Sequence, residues 1–253
     1  MIRLCFLFCF MASLALGETF SDLVLKGRIK EPYMIELSKK IEEIEVTLDE
    51  EKMVDIEAIL KDYSSKEPDN FLWLYLLSRI HFSFVNLFEN VKVDDEKAKE
   101  YLEKALDDAK MAIKLESNFS DSYRIAADIY GRLIGFKPPM IYGPIYGPRA
   151  SKLIKKALEL DPNNPEVYLA QGRSYLFTPR VFGGSKKKAI ECFKKVSDIL
   201  PGYHWSYVWQ GQAYLKMGRK NEAKEAFEKA LSLEPKNFWA RHEIERLGGG
   251  DFR

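Results

Sequence analysis

Three histidines, one cysteine beyond the N-terminal segment and a set of stepped arginines and aspartates are the residues here best equipped for chemistry. Catalysis or metal binding needs a nucleophile, base or ligands that converge, yet His81, His204 and His242 lie far apart, and none is joined by a second ligand type in a metal-binding spacing. HExxH, P-loop and nucleophile-elbow signatures are absent. Carboxylates are plentiful but alternate with lysines, as in Glu222, Lys224, Glu225, Glu228 and Lys229, which is the pattern of exposed ion pairs on a helix face. Cys5 and Cys9 fall in the first 17 residues, so Cys192 has no disulfide partner in the remainder. Beside Phe193 on an inward helix face, it reads as a packed small hydrophobe. Arg124, Asp128 and Arg132 step by four along one helix, which favours an ion-pair ladder over an anion site. The sequence assigns no catalytic residue, no metal and no cofactor, and a binding role is expected.

The elements that must carry these residues recur with a period. From His204 to Asn237, Tyr207, Gly211, Tyr214, Ala223, Phe227, Ala230 and Pro235 fall on the positions of W-x2-L-G-x2-Y, A-x3-F and P, with Gln210 the departure. Small Gly211 and Ala223 let two antiparallel helices approach, Tyr214 and Phe227 fill the space beside them, and Pro235 ends the second helix. Walking back, Tyr168, Gly172, Tyr175, Ala189, Phe193 and Pro201 make a second unit with about five extra residues between its helices. Tyr123, Ala127, Tyr130, Ala150, Ile154, Ala157 and Pro162 make a third with a surplus of about eleven. Trp73, Leu76, Leu77, Ile80, Ala105, Ala109 and Ala112 make a fourth, with a surplus of about sixteen and Ser117 in place of the proline. Two amphipathic stretches, Ile35 to Leu48 and Met53 to Tyr63, read as a divergent first repeat. Asn237 to Leu247, with Trp239, Ile244 and Leu247 on one side, suits a capping helix.

This beat resembles the tetratricopeptide repeat (TPR) family over roughly residues 70–237. The resemblance implies an all-α, right-handed superhelical solenoid of helix hairpins with long intra-repeat insertions, a C-terminal cap and a concave groove that binds partners. Expected repeats are 32–69 (divergent), 70–119, 120–164, 165–203 and 204–237, with the cap at 237–247, all in one domain over 18–253. The chaperone-binding subclass uses Lys and Asn at fixed first-helix positions; here those read Arg124, Asp128, Leu169, Arg173, Val208 and Gln212, so no carboxylate clamp is expected. Phe182-Gly183-Gly184 is similar to a turn in exported repeat proteins that accompany TRAP transporters, although the lipoprotein cysteine common in that group is absent.

Met1 to Gly17 has the layout of a secretory signal: Arg3, an apolar run from Leu4 to Leu16, and small Ala15 and Gly17 before Glu18. About thirteen apolar residues are too few for a bilayer span, which needs about twenty. The expected product is exported, periplasmic or secreted, with no transmembrane span after cleavage. Losing Arg3 takes Lys plus Arg from 39 to 38, against 38 Asp plus Glu, so nothing attracts nucleic acid. Asn118-Phe119-Ser120 is a glycosylation sequon that matters only in a host with that machinery.

The surplus residues all fall between the two helices of a repeat, so they cluster along one edge of a solenoid. In the 70–119 unit they read as added helical turns, with Phe82 to Phe88 continuing one helix and Asp94 or Asp95 capping its partner. In the 120–164 unit they read as a non-helical loop from Gly135 to Pro148, because Ile141-Tyr142-Gly143-Pro144 and Ile145-Tyr146-Gly147-Pro148 are dense in helix breakers. A smaller aromatic loop follows at Phe177 to Gly184. These loops either pack on the long hairpin or form the mouth of an apolar pocket. The candidate binding set is Phe71, Tyr75, Arg124, Arg132, Tyr142, Tyr146, Arg173, Phe177, Arg180, Phe182, Trp205 and Trp209. Two functions stand: a scaffold that binds a protein or peptide of the cell envelope on its concave face, and a carrier of a small apolar or acidic ligand.

Overall fold

The structure is a computed structural model that describes residues 32–136 and 138–248. The expected leader at 1–17 lies outside the described residues. Within them the chain is helical throughout: α1 (Pro32–Thr47), α2 (Glu50–Lys66), α3 (Phe71–Leu87), a π-helical turn (Phe88–Lys92), α4 (Asp95–Leu115), α5 (Ser120–Leu133), α6 (Pro139–Leu160), α7 (Pro165–Phe177), α8 (Lys186–Ile199), α9 (His204–Lys216), α10 (Lys220–Leu233) and α11 (Phe238–Leu247). Helix starts follow local chemistry. Asp49, Asn70, Asp94, Asn164, Ser185 and Asn237 each accept a backbone N–H from the first turn they precede.

Helices α3 with α4, α5 with α6, α7 with α8, and α9 with α10 pair as hairpins, and the second helix of each packs on the first helix of the next. The close approach inside a hairpin has a definable cause. A Cβ on Gly172 would lie 2.2 Å from the Phe193 ring, and one on Gly211 would lie 2.6 Å from the Phe227 ring. Both rings are fully buried, so neither has room to retreat. Alternating helix directions and short turns then stack the hairpins into a solenoid.

The hairpin of α3 and α4 is long, as its sequence indicates, and Asp94 caps the second helix with an N–H from Lys97. Phe71–Lys92 is long and apolar enough to cross a membrane, but 78% of its most apolar window is buried among other helices, as in a core helix. Tyr101 stacks on Phe84 at 4.4 Å and on Phe88 at 5.6 Å, which binds the added turns together.

The expected Gly135–Pro148 loop is corrected: α6 begins at Pro139 and runs through both IYGP copies. Pro139 stands at the helix start, where its missing N–H costs nothing. Pro144 and Pro148 each remove one i to i−4 hydrogen bond, but the residues before them are Gly143 and Gly147. Proline disfavours helix in its predecessor through that residue's N–H and Cβ, and glycine, lacking the Cβ, removes part of the clash. The four-residue period also stacks Tyr142 on Tyr146 at 5.5 Å, and Tyr146 packs on Tyr130 of α5.

At the other end α1 and α2 form where the periodicity places them, but not as a repeat hairpin. α1 leans on α3 and also touches α11, so the first and last described helices meet across the inside of the curve. The joint is tight, with buried Leu48 at φ +54°, a left-handed conformation that costs a non-glycine residue about 1 kcal/mol. Met34, Leu37, Ile41 and Ile44 of α1 join one large core with α2, α3, α4 and α5, while each later hairpin has a smaller core of its own.

Candidate functional site

The inner face is built from the first helices of the hairpins, and its charged groups complete one another across helices. Arg124 donates twice to Asp121, at 2.9 and 2.8 Å, and reaches Asp128 at 3.5 Å. Asp128 in turn receives Arg173 of α7 in a two-point pair at 3.1 and 2.6 Å. Tyr75 of α3 donates its hydroxyl to Asp121, and Tyr203, just before α9, donates to Glu166 of α7. Burial opposes the Asp121 charge, but Arg124 outweighs it and holds that carboxyl below the ordinary range. Glu166 goes the other way, since burial dominates and raises it despite Arg124 and Arg173.

Of the anticipated ladder within α5, the Arg124–Asp128 rung forms at 3.5 Å, while the Asp128–Arg132 rung is replaced by a network between helices. Arg132 turns away from Asp128 and pairs with Glu89 at 3.1 Å and the Asn86 side-chain carbonyl at 3.0 Å. Its geometric cause is the extra length of α3, which places Asn86 and the π-turn within its reach.

α1 lies on this face. Arg79 of α3, which is 3% exposed, donates to both oxygens of Glu45 at 3.0 Å and to the Ser38 hydroxyl at 3.0 Å. Glu42 and Glu45 are also near enough to the Tyr203 phenol to add to its raised pKa, after burial and Glu166. The face therefore already holds an amphipathic helix, with apolar residues inward and a carboxylate on a buried arginine.

The twelve candidate residues do not share one pocket. Tyr75 is fully buried and Arg124 is 7% exposed, so neither ring nor guanidinium is open to a ligand. Phe71 packs edge-on against Phe119 at 5.2 Å. Tyr142 and Tyr146 are half-buried on α6, whereas Phe177, Arg180 and Phe182 are exposed at the turn between α7 and α8. Trp209 contacts Phe177 at 6.3 Å and Phe193 at 6.2 Å, with the Arg173 guanidinium 5.1 Å above its ring. Trp205 is half-buried against His204. Two clefts stand out instead, lined by none of the twelve. One of about 290 Å3 is bounded by Tyr168, Gln171, Tyr175 and Cys192, and one of about 190 Å3 by Ile154, Leu158, Gln171 and Tyr175. Burial pushes the Cys192 thiol up to about 11, the opposite of nucleophile activation.

One cluster escapes a sequence reading. His81 sits between Asp108 of α4, at 2.6 Å from Nδ1, and Glu57 of α2, at 3.0 Å from Nε2. Burial works against the charged ring, but the hydrogen bonds to Asp108 and Glu57 outweigh it and raise its pKa. The His81 hydrogen bond in turn draws Glu57 down to about 2 against burial, helped by Lys61. Each ring nitrogen has its own carboxylate, so the group is a strap across three helices, and no described His, Cys, Asp and Glu converge as metal ligands.

Residues 206–237 match the tetratricopeptide repeat family. The chain carries a tetratricopeptide repeat. A curated relative, small glutamine-rich tetratricopeptide repeat-containing protein 2 of Mycosarcoma maydis, is 37% identical over 82 residues. That match covers 32% of this chain and 22% of the relative, so the chain spans about a fifth of that protein. Among solved structures, TTC0263, a thermophilic TPR protein of Thermus thermophilus, superposes with a TM-score of 0.63 at 19% identity, covering 83% of this chain and 98% of that one. The HusA haemophore of Porphyromonas gingivalis superposes at 0.55, also at 19% identity, over 81% and 94%. Together they establish the fold as a helical solenoid of TPR units.

Proposed function

We propose that this chain is an exported, non-enzymatic protein-interaction scaffold whose inner face receives an amphipathic helical segment of a partner in the cell envelope. The observation that carries the reading is α1 itself. The inner face accommodates a helix with buried Met34, Leu37, Ile41 and Ile44 and with Glu45 on Arg79, which supports a partner helix of the same chemistry. Charges on that face are matched within the protein, and no nucleophile is paired with an activating base among the described residues, which supports a surface for contact. The small-ligand reading lacks a comparable support, since the residues meant to line its mouth are scattered and the resemblance to transporter-associated proteins rests on Phe182-Gly183-Gly184.

A photo-crosslinking amino acid in place of half-buried Trp205, compared with the same group at exposed Lys224, tests the reading in the native host. A discrete protein adduct from position 205 and none from 224 is expected. Equal labelling at both positions would overturn the inner-face assignment. N-terminal sequencing of the product tests export separately, with Glu18 as the expected first residue and an intact Met1 as the contrary result.

A further inference from the structure

The turns that join first to second helices in the last three hairpins lie at one edge, and that edge is poor in acid, with Glu222 paired to Arg219 at 2.6 Å as its carboxylate. No Asp or Glu occurs from Ile134 to Leu158, from Phe177 to Ile190, or from Tyr214 to Asn221, whereas Arg149, Arg180, Lys187 and Lys220 fall within these stretches. The opposite edge, where second helices hand over to first helices, carries Glu67, Asp69, Glu116, Glu159, Asp161 and Glu234. A chain of formal net charge +1 thus carries an excess of base at one edge and an excess of acid at the other, where Lys66, Lys114 and Lys236 dilute the acids. At the long hairpin the pattern stops, because its turn holds Glu89, Asp94 and Asp95.

The same basic edge shows large apolar side chains to solvent. Met140 and Val181 are each 85% exposed and Phe182 is 66% exposed, with Ile141 and Phe177 exposed beside them. The last two of these turns are neighbours: Lys186 of α8 donates to the Lys216 carbonyl of α9, and the Lys216 ammonium lies 4.7 Å above the Phe177 ring. Tyr175, one half-turn before Phe177, shares a cleft with Ser151 and Ile154 of α6. Burying these side chains would remove apolar surface from water, and the nearby cations demand a negatively charged surface.

We propose that this edge docks the protein on an anionic lipid surface. Protruding apolar tips on separate turns, interspersed with Lys and Arg, enter the headgroup boundary while the cations meet lipid phosphates. A protein partner would call for a contiguous packed patch, whereas these tips project from successive turns. The docking is independent of the inner face, so the two surfaces can act at the same time.

Co-sedimentation of the full chain with vesicles of phosphatidylglycerol and phosphatidylcholine in roughly equal parts, against phosphatidylcholine alone, tests the proposal. Binding to the anionic vesicles, weakened by salt and about tenfold lower on the neutral ones, is expected. Val181→Ser with Phe182→Ser, at exposed sites, lowers binding about tenfold with the helical circular dichroism unchanged. Arg180→Glu with Lys187→Glu removes the preference for anionic lipid, while Lys224→Glu with Lys229→Glu, an equal change of net charge on α10, leaves it. Absence of wild-type binding at low salt overturns the proposal, even if the edge retains an acidic protein. Unchanged binding by the edge variants, or equal loss with the α10 control, overturns it too.

Discussion

His81 is the residue whose environment most clearly sets a solution property. Its folded pKa is raised, so the stabilisation from the two carboxylates is fully present below the unfolded value of about 6.5 and is lost as pH rises through the higher folded value. Glu57, held at about 2, contributes stability above its unfolded value of about 4.3, lost as pH falls toward about 2. Urea denaturation should therefore give lower stability at alkaline than at mildly acidic pH, and His81→Gln should flatten that alkaline decline. An equally steep decline in the variant would assign it to other groups. His81→Leu leaves Glu57 and Asp108 without their shared cation and should cost about 3 kcal/mol. In the sequence His81 stands isolated because Glu57 and Asp108 are 24 and 27 positions away, on helices whose relative rotation no local pattern fixes. Cys192, by contrast, is legible, since its neighbours on the same helix already declare an inward face.

At the scale of elements, α6 offers a test in which an ordinary rule changes sign. A Cβ at Gly143 would meet open space, and an exposed helical Gly→Ala change commonly stabilises by about 1 kcal/mol. Because Pro144 follows, the new Cβ conflicts with the proline ring in helical geometry, so Gly143→Ala should lower the melting temperature. In a Pro144→Ala background the same change should raise it, and additive effects in the two backgrounds would remove the explanation. Gly172→Ala and Gly211→Ala should each destabilise by about 2 kcal/mol, because each forces a buried aromatic ring to move. The repeat beat made the hairpins and their glycine contacts legible. Composition misled at 135–148, where counting Gly and Pro overlooked that their order, glycine directly before proline, relieves the clash. The inner-face ladder was half legible: the residue types were right, but Asp128 chose Arg173 on α7 over Arg132 on its own helix.

For the molecule as a whole, contact between α1 and α11 links segments at opposite ends of the described chain. Truncation after Asn237, which removes α11, should speed amide hydrogen exchange in α1, with the amides of α3 and α4 less affected. Unaltered protection in α1 would mean that α3 alone retains it. The same closure sets a threshold for any partner. α1 is tethered through a two-residue joint, so its effective concentration at the inner face is on the order of millimolar or higher, and a rival helix for that site must outcompete a covalent neighbour. Glu45→Lys, which opposes Arg79, should loosen α1 and strengthen binding of a helix in trans, and fluorescence anisotropy with a labelled 32–47 peptide measures it. No gain in peptide affinity would place the receptive surface elsewhere. The separation of acid and base between the two edges has a practical corollary at the bench. Near neutral pH, where its overall charge nearly vanishes, the protein should adhere to a cation-exchange resin and elute with salt, behaving in chromatography as a molecular dipole.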